Sequence, residues 1–203
     1  MRLGPAILAA LLLMVPAAMA QDAQPADANT PGLGSEPDPA LDAQKHIIDV
    51  LVFGDAIGGG LCAGLARVTD PSGDYDVSVR LNEESGLARP EVYDWVATIQ
   101  KILAANSFDV IVVEIGSNDR QTIRDGDNRY DFNSKEWVSA YTKQVDLLLD
   151  QLAASKARIV WVSPPPMKDP DYDAAMKVIG DIQRAQVEKR GMTFLDIRPQ
   201  FSN

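Results

Sequence analysis

The chain has 203 residues, a formal net charge of −10 at neutral pH and a single cysteine, Cys62. That acidity argues against nucleic acid or an anionic lipid surface as a partner. One cysteine excludes an intrachain disulfide, so the fold must hold by packing; the thiol itself reads as a buried helix residue with no base beside it.

Residues 1–5 carry one positive charge, at Arg2, ahead of a short apolar run over 6–17 and a small-x-small site at Ala18-Met19-Ala20. This is the pattern of a secretory signal peptide cleaved after Ala20, and it predicts a periplasmic or secreted protein of net charge −11 once Arg2 is gone. The run is too short for a membrane span, which takes about 20 apolar residues, and no other segment is apolar enough for one. Residues 21–45 hold four prolines, two glycines and several acids but almost no large apolar side chain. Such a stretch buries too little surface to offset its ordering entropy and reads as a disordered linker. Residues 46–203 remain, enough for one domain with a real core.

The first strand is predicted over 47–54 (IIDVLVFG), a nearly continuous apolar run ending in Gly-Asp, as a buried parallel strand does. Behind its glycine-rich turn, Leu61, Cys62, Leu65 and Val68 recur at helical spacing. Residues 76–81 alternate as a second, shorter strand. Pro90 stands where helices favour their first residue, before a stripe of Val92, Trp95, Val96, Ile99, Ile102 and Leu103. A third strand is expected over 109–115 (DVIVVEI). Asn133 with Glu136 three residues on has the form of a capping box, opening a helix whose stripe runs Trp137, Tyr141, Val145, Leu148, Leu149 and Leu152. Residues 157–163 form a fourth strand, stopped by Pro164-Pro165-Pro166. The last helix follows Asp169-Pro170, turns Met176, Ile179 and Ile182 inward and stops at Gly191. The fifth strand is 192–197. Strands alternating with helices predict an α/β fold, a three-layer doubly wound parallel sheet. If its order is 2-1-3-4-5, ligands are expected between strands one and three, where the order reverses.

The loops meeting there read Gly54-Asp55-Ala56-Ile57-Gly58, Ser85-Gly86-Leu87-Ala88-Arg89 and Gly116-Ser117-Asn118-Asp119-Arg120-Gln121. In order and spacing they resemble the SGNH or GDSL hydrolases, a family of esterases and acyl hydrolases with a flavodoxin-like sheet. Gly54-Asp55-Ala56 stands where the family has Gly-Asp-Ser, Gly86 at the second-block glycine, and Gly116-x-Asn118-Asp119 at the third block. The resemblance is closer still to a bacterial envelope branch of unassigned function, through Ser85–Arg89, Tyr93-Asp94-Trp95, 116–121 and 161–166, and spans residues 47–201. It implies an oxyanion pocket of the amide after the nucleophile, the Gly86 amide and Asn118, each donor contributing about 3 kcal/mol to the barrier where such chemistry runs.

Two departures bear on chemistry. Ala56 has no nucleophilic atom, and the chain stops at Asn203 before the family's late Asp-x-x-His block, which reads as truncation. The one histidine, His46, precedes strand one, at the opposite end of the sheet from the loops, so nucleophile and base do not come together. Ser85 and Ser117 lie in the right loops without a base, and turn hydrogen bonding suits them. Asp55, Glu114, Asn118 and Asp119 offer oxygens, but Glu114 is expected to turn away from Asp55 and no metal-ligand spacing is present, so no metal or cofactor is expected. Ser85, Arg89, Gly116, Asp119 and Arg120 are the candidates for holding a ligand, the two arginines for an anionic group or for pairing with surface acids. Trp95, Trp137 and Trp161 fall on core positions.

The leading expectation is a catalytically inactive member that binds an acyl ester or carbohydrate of the cell envelope. The alternatives are an active esterase or O-acetyl-glycan hydrolase working through atypical groups such as an Asp55-activated water, and an envelope-assembly scaffold using the acidic linker.

Overall fold

The computed structural model describes residues 46–69 and 71–201; the expected signal peptide and linker lie outside the described residues. Every apolar run expected to be a strand is one. They are β1 (Ile48–Gly54), β2 (Tyr75–Leu81), β3 (Val110–Glu114), β6 (Arg158–Val162) and β7 (Thr193–Leu195). All four pairings are parallel and the order is β2-β1-β3-β6-β7, the doubly wound arrangement expected, with the order reversing between β1 and β3. In register Gly54 lies opposite both Leu81 and Glu114. The three strands therefore end level, and their following loops emerge side by side.

Four helices connect them: α1 (Gly58–Thr69), α2 (Trp95–Ala105), α3 (Lys135–Ala153) and α4 (Pro170–Lys189). Alternation along the strands sorts their side chains to two faces. Leu51, Phe53, Ile111, Val113, Ile159 and Trp161 join the inward stripes of α2, α3 and α4 in one core. α1 packs with Leu61 and Leu65 outside that cluster, on the other face. Trp95, Trp137 and Trp161 are at most 2% exposed, and each indole N–H has an acceptor: Ser85 Oγ and Gln183 Oε1, both buried, and the part-buried Gln121 O. Among the described residues no helix is long and apolar enough to cross a membrane.

Helix starts differ from the sequence reading in two places. Pro90 does not open α2. Asp94 caps it, its Oδ1 accepting from Ala97 N at 2.9 Å; Val92 lies outside the helix and is 51% exposed. A side-chain acceptor satisfies an otherwise orphaned N–H, which a proline only avoids presenting. For α3 the cap is Ser134, whose Oγ accepts from Trp137 N at 3.1 Å, while Asn133 sits before it at φ 65°. Glu136 then no longer stands at the third helical position, and the capping box is absent. The α4 start stands as read, with Asp169 Oδ1 accepting from Tyr172 N and Pro170 in the first turn. Cys62 is half-buried instead of buried.

One element was not expected: an antiparallel hairpin of β4 (Ile123–Asp125) and β5 (Asn128–Tyr130). Its two-residue turn, Gly126-Asp127, has Gly126 at φ 59°, as tight hairpins of matching twist require.

Candidate functional site

Asp55 leads the loop after β1 and is fully buried. Its Oδ2 accepts from the backbone N–H of Gly116 and of Ser117, both at 2.7 Å, and its Oδ1 from Ile57 N at 3.2 Å. One carboxylate thus ties the β1 loop to the β3 loop. Burial pushes its pKa up against the pull of these donors. Gly116 is held at φ 128°, and a Cβ there would come within 2.9 Å of Gln183 Nε2 and of Ile179 Cγ2. Only glycine lets the loop turn this tightly over α4.

Asp119, 1% exposed, does the same between the β3 and β2 loops. Its Oδ1 accepts from Ala88 N and its Oδ2 from the Tyr141 hydroxyl, at 2.8 and 2.7 Å. Tyr141 in turn accepts from Gln183 Nε2 at 3.0 Å, which also donates to Ile115 O, while Gln183 Oε1 takes the Trp161 indole. A chain of buried hydrogen bonds therefore runs from β6 through α4 and α3 to the loop after β2. Burial pushes Asp119 up to about 6 against its N–H and hydroxyl donors, and burial beside Asp119 raises Tyr141 far above the ordinary phenol range.

These contacts sort the residues singled out in the sequence. Ser85 and Asp119, candidates for ligand contact, are turned inward: Ser85 is 1% exposed, and its hydroxyl donates to Asn82 O and accepts from Trp95. Gly116 spends its N–H on Asp55. Asn118 is half-buried, and its Nδ2 donates to Glu83 O and Ser85 O, both at 2.8 Å, so both amide hydrogens hold the β2 loop and neither is free for an oxyanion. Ala56, by contrast, is exposed at the loop tip and Gly86 lies buried beside Asp119. Arg120 is exposed with its guanidinium over the Tyr172 ring, 5.9 Å from the centroid, and the Tyr172 hydroxyl donates to Ser117 O. Arg89 pairs with Glu91 at 2.7 Å.

Glu114, at the end of β3, is only 4% exposed, and its Oε2 has no hydrogen-bond partner among the described residues. Burial, with the charge of nearby Asp55, raises it to about 8. Burial and Glu114 also push the Cys62 thiol up to about 11, far from the range of a reactive thiolate. Among the described residues no three His, Cys, Asp or Glu side chains group as metal ligands do.

Sequence reasoning missed Tyr141, Tyr172 and Gln183 as parts of this framework. A signal was present for two of them. Gln183 is a polar residue on the inward face of α4, in step with Met176, Ile179 and Val187, and Tyr141 carries a hydroxyl into a core stripe, where it needs a partner.

The sheet order, the three level loops and the Gly-Asp and Gly-x-Asn-Asp blocks define an SGNH-hydrolase-like α/β protein. Residues 49–203 match the family described as "Protein of unknown function (DUF459)", and the chain belongs to it. No curated protein matches. Solved structures share the fold at low identity. LAE5, an alpha/beta hydrolase enzyme from the metagenome of Lake Arreo, Spain, is 17% identical with TM-score 0.56 over 77% of this chain and 79% of its own. A member of the lipolytic protein G-D-S-L family from Veillonella parvula is 10% identical with TM-score 0.54, over 75% and 79%. Axe2, an acetylxylan esterase from Geobacillus stearothermophilus, is 18% identical with TM-score 0.51, over 78% and 80%.

Proposed function

We propose that this protein is an exported, non-hydrolysing member of the SGNH-like fold that binds an acyl or carbohydrate group of the cell envelope at the loops after β1, β2 and β3. The observation that carries the reading is Ala56. The β1 loop is pinned by Asp55 through three backbone N–H groups, so it is built as firmly as a catalytic loop needs to be. Yet its exposed tip offers a methyl group where the fold's hydrolases carry a hydroxyl, and covalent catalysis has no atom to start from. Asn118 adds to this, since its amide braces the β2 loop and a preorganised oxyanion donor must be unspent.

The carbohydrate side of the reading draws on the neighbour called an acetylxylan esterase, and export on the leader pattern of residues 1–20. A reaction run by an Asp55-activated water gains no support: Asp55 is fully buried, and its oxygens already accept three N–H bonds.

The test is hydrolysis of short-chain p-nitrophenyl esters by purified residues 21–203, beside Asn118→Ala. Folded protein is expected to give no turnover above buffer. Turnover abolished by Asn118→Ala would mean a working oxyanion hole and would overturn the reading.

A further inference from the structure

We propose a second site, away from the β1 loop but sharing the β2 and β3 loops with the first: the basin between the β3 loop and the β4–β5 hairpin binds a phosphate-type oxyanion carried on a soluble ligand with an otherwise neutral body. The inference stands whether or not an acyl group binds at the β1 loop.

The basin is an open depression of about 620 Å³, and four arginines line it, Arg89, Arg120, Arg124 and Arg129, against one acid, Asp131. Arg89 is paired with Glu91, which leaves three without a carboxylate partner among the described residues. In a chain of net charge −10, that local excess runs against the surface as a whole. The hairpin creates half of it. Ile123, 5% exposed, faces the core, so the next position faces out, and Arg124 and Arg129 are direct cross-strand partners. Like charges placed opposite each other cost stability, and among the described residues neither guanidinium has a carboxylate partner. Arg120 comes from the β3 loop and Arg89 from the β2 loop. Arg89 donates to Glu91 Oε1 at 2.7 Å and to Gln121 Oε1 at 3.3 Å, and Asp131 Oδ1 accepts from Thr122 Oγ1 at 3.4 Å, so Arg120, Arg124 and Arg129 still outnumber the basin's one acid.

Guanidinium forks match tetrahedral and planar oxyanions bidentately and keep their charge at any working pH. Several converging on one basin favour a dianion over a single carboxylate, because each added negative charge also relieves the Arg124–Arg129 repulsion. The positive character is local. The neighbouring depression of about 480 Å³, which shares Arg124, mixes Lys135 and Lys143 with Asp125 and Glu136. That confines the anionic part of the ligand to one end and leaves its remainder uncharged, as in a sugar phosphate.

The test is calorimetric titration of the purified protein with inorganic pyrophosphate and with glucose 1-phosphate at low ionic strength. The comparison variants are Arg124→Gln/Arg129→Gln and Lys101→Gln/Lys156→Gln, the latter removing two exposed charges elsewhere. Both anions are expected to bind, about tenfold or more weakly in the arginine variant and unchanged in the lysine variant. Pyrophosphate should raise the melting temperature of the wild type but not of the arginine variant, whose unliganded fold should melt no lower. No binding by the wild type, or equal loss in both variants, would overturn the site. Cosedimentation with phosphatidylcholine vesicles containing phosphatidic acid, lost in the arginine variant, would overturn the soluble source in favour of a lipid headgroup.

Discussion

A side chain at position 86 and the carboxylate of Asp119 compete for the same space: a Cβ on Gly86 would run into Asp119 Oδ1. The conflict cannot be relieved cheaply, because Oδ1 is held by Ala88 N and Oδ2 by Tyr141 in a fully buried setting. Gly86→Ala must push a buried carboxylate off its donors, and we expect it to cost about 2–4 kcal/mol. Urea unfolding should show a lower midpoint at unchanged slope. A midpoint equal to that of the wild type would mean that the β2 loop yields freely and that Asp119 does not fix it.

Tyr141→Phe tests the same network from the helix side. It removes the donor to Asp119 Oδ2 and the acceptor of Gln183 Nε2 while keeping the ring, which stacks on Trp137 with centroids 4.7 Å apart. Because the ring contact survives, the loss reports the hydroxyl alone, and a buried carboxylate oxygen left without its donor should cost about 1–3 kcal/mol. The check is urea unfolding of Tyr141→Phe, Gln183→Leu and the double variant. The two costs should sum to more than that of the pair, since the residues share one hydrogen bond.

The sheet was legible because buried parallel strands are written as runs such as 47–54 and 109–115, which no amphipathic helix produces. Helix starts were less so. Pro90 and Asn133 carry the right chemistry, but Asp94 and Ser134 carry it too, and which one caps depends on where the preceding loop delivers the chain. The β4–β5 hairpin was missed because three-residue strands show no period, although Asp125-Gly126 is a turn signal in its own right. At the site, block order located the loops correctly, yet side-chain direction was invisible. Ser85 and Asn118 look like ligand-facing polar residues until their partners, Trp95, Glu83 O and Ser85 O, are seen to take their hydrogen bonds. Of the arginine basin, Arg89 and Arg120 were read as candidates for an anionic group, but its other half escaped notice for a related reason: Arg124 and Arg129 become neighbours only through the hairpin register.

Ala56→Ser separates a missing nucleophile from a missing machine. Position 56 is exposed at the loop tip, so a hydroxyl there should change stability by no more than about 0.5 kcal/mol. With no histidine in the loops and Asn118 already committed, the serine of the purified chain should stay unactivated. The expected result is an unchanged urea midpoint and no p-nitrophenyl acetate hydrolysis above buffer. Turnover in Ala56→Ser would instead reveal a base and an oxyanion pocket that a single substitution had silenced.

Glu114 gives a prediction whose sign follows from its surroundings. Its pKa is raised from 4.5 to about 8 by burial and by Asp55, so between those values the native protein keeps a proton that the unfolded chain releases. Stability linked to this group is fully present below pH 4.5 and falls as pH rises toward 8. Glu114→Gln copies the neutral form and removes the titration. An offset from fitting an amide under α1 would be the same at every pH, so the slope carries the result. Relative to the wild type, Glu114→Gln should gain stability progressively from pH 5 to pH 8, by about 2–4 kcal/mol in all. Urea midpoints across that range measure it. A wild type and variant that run parallel would show that Glu114 ionises in the folded protein as it does in the open chain, and that water or a cation reaches its carboxylate.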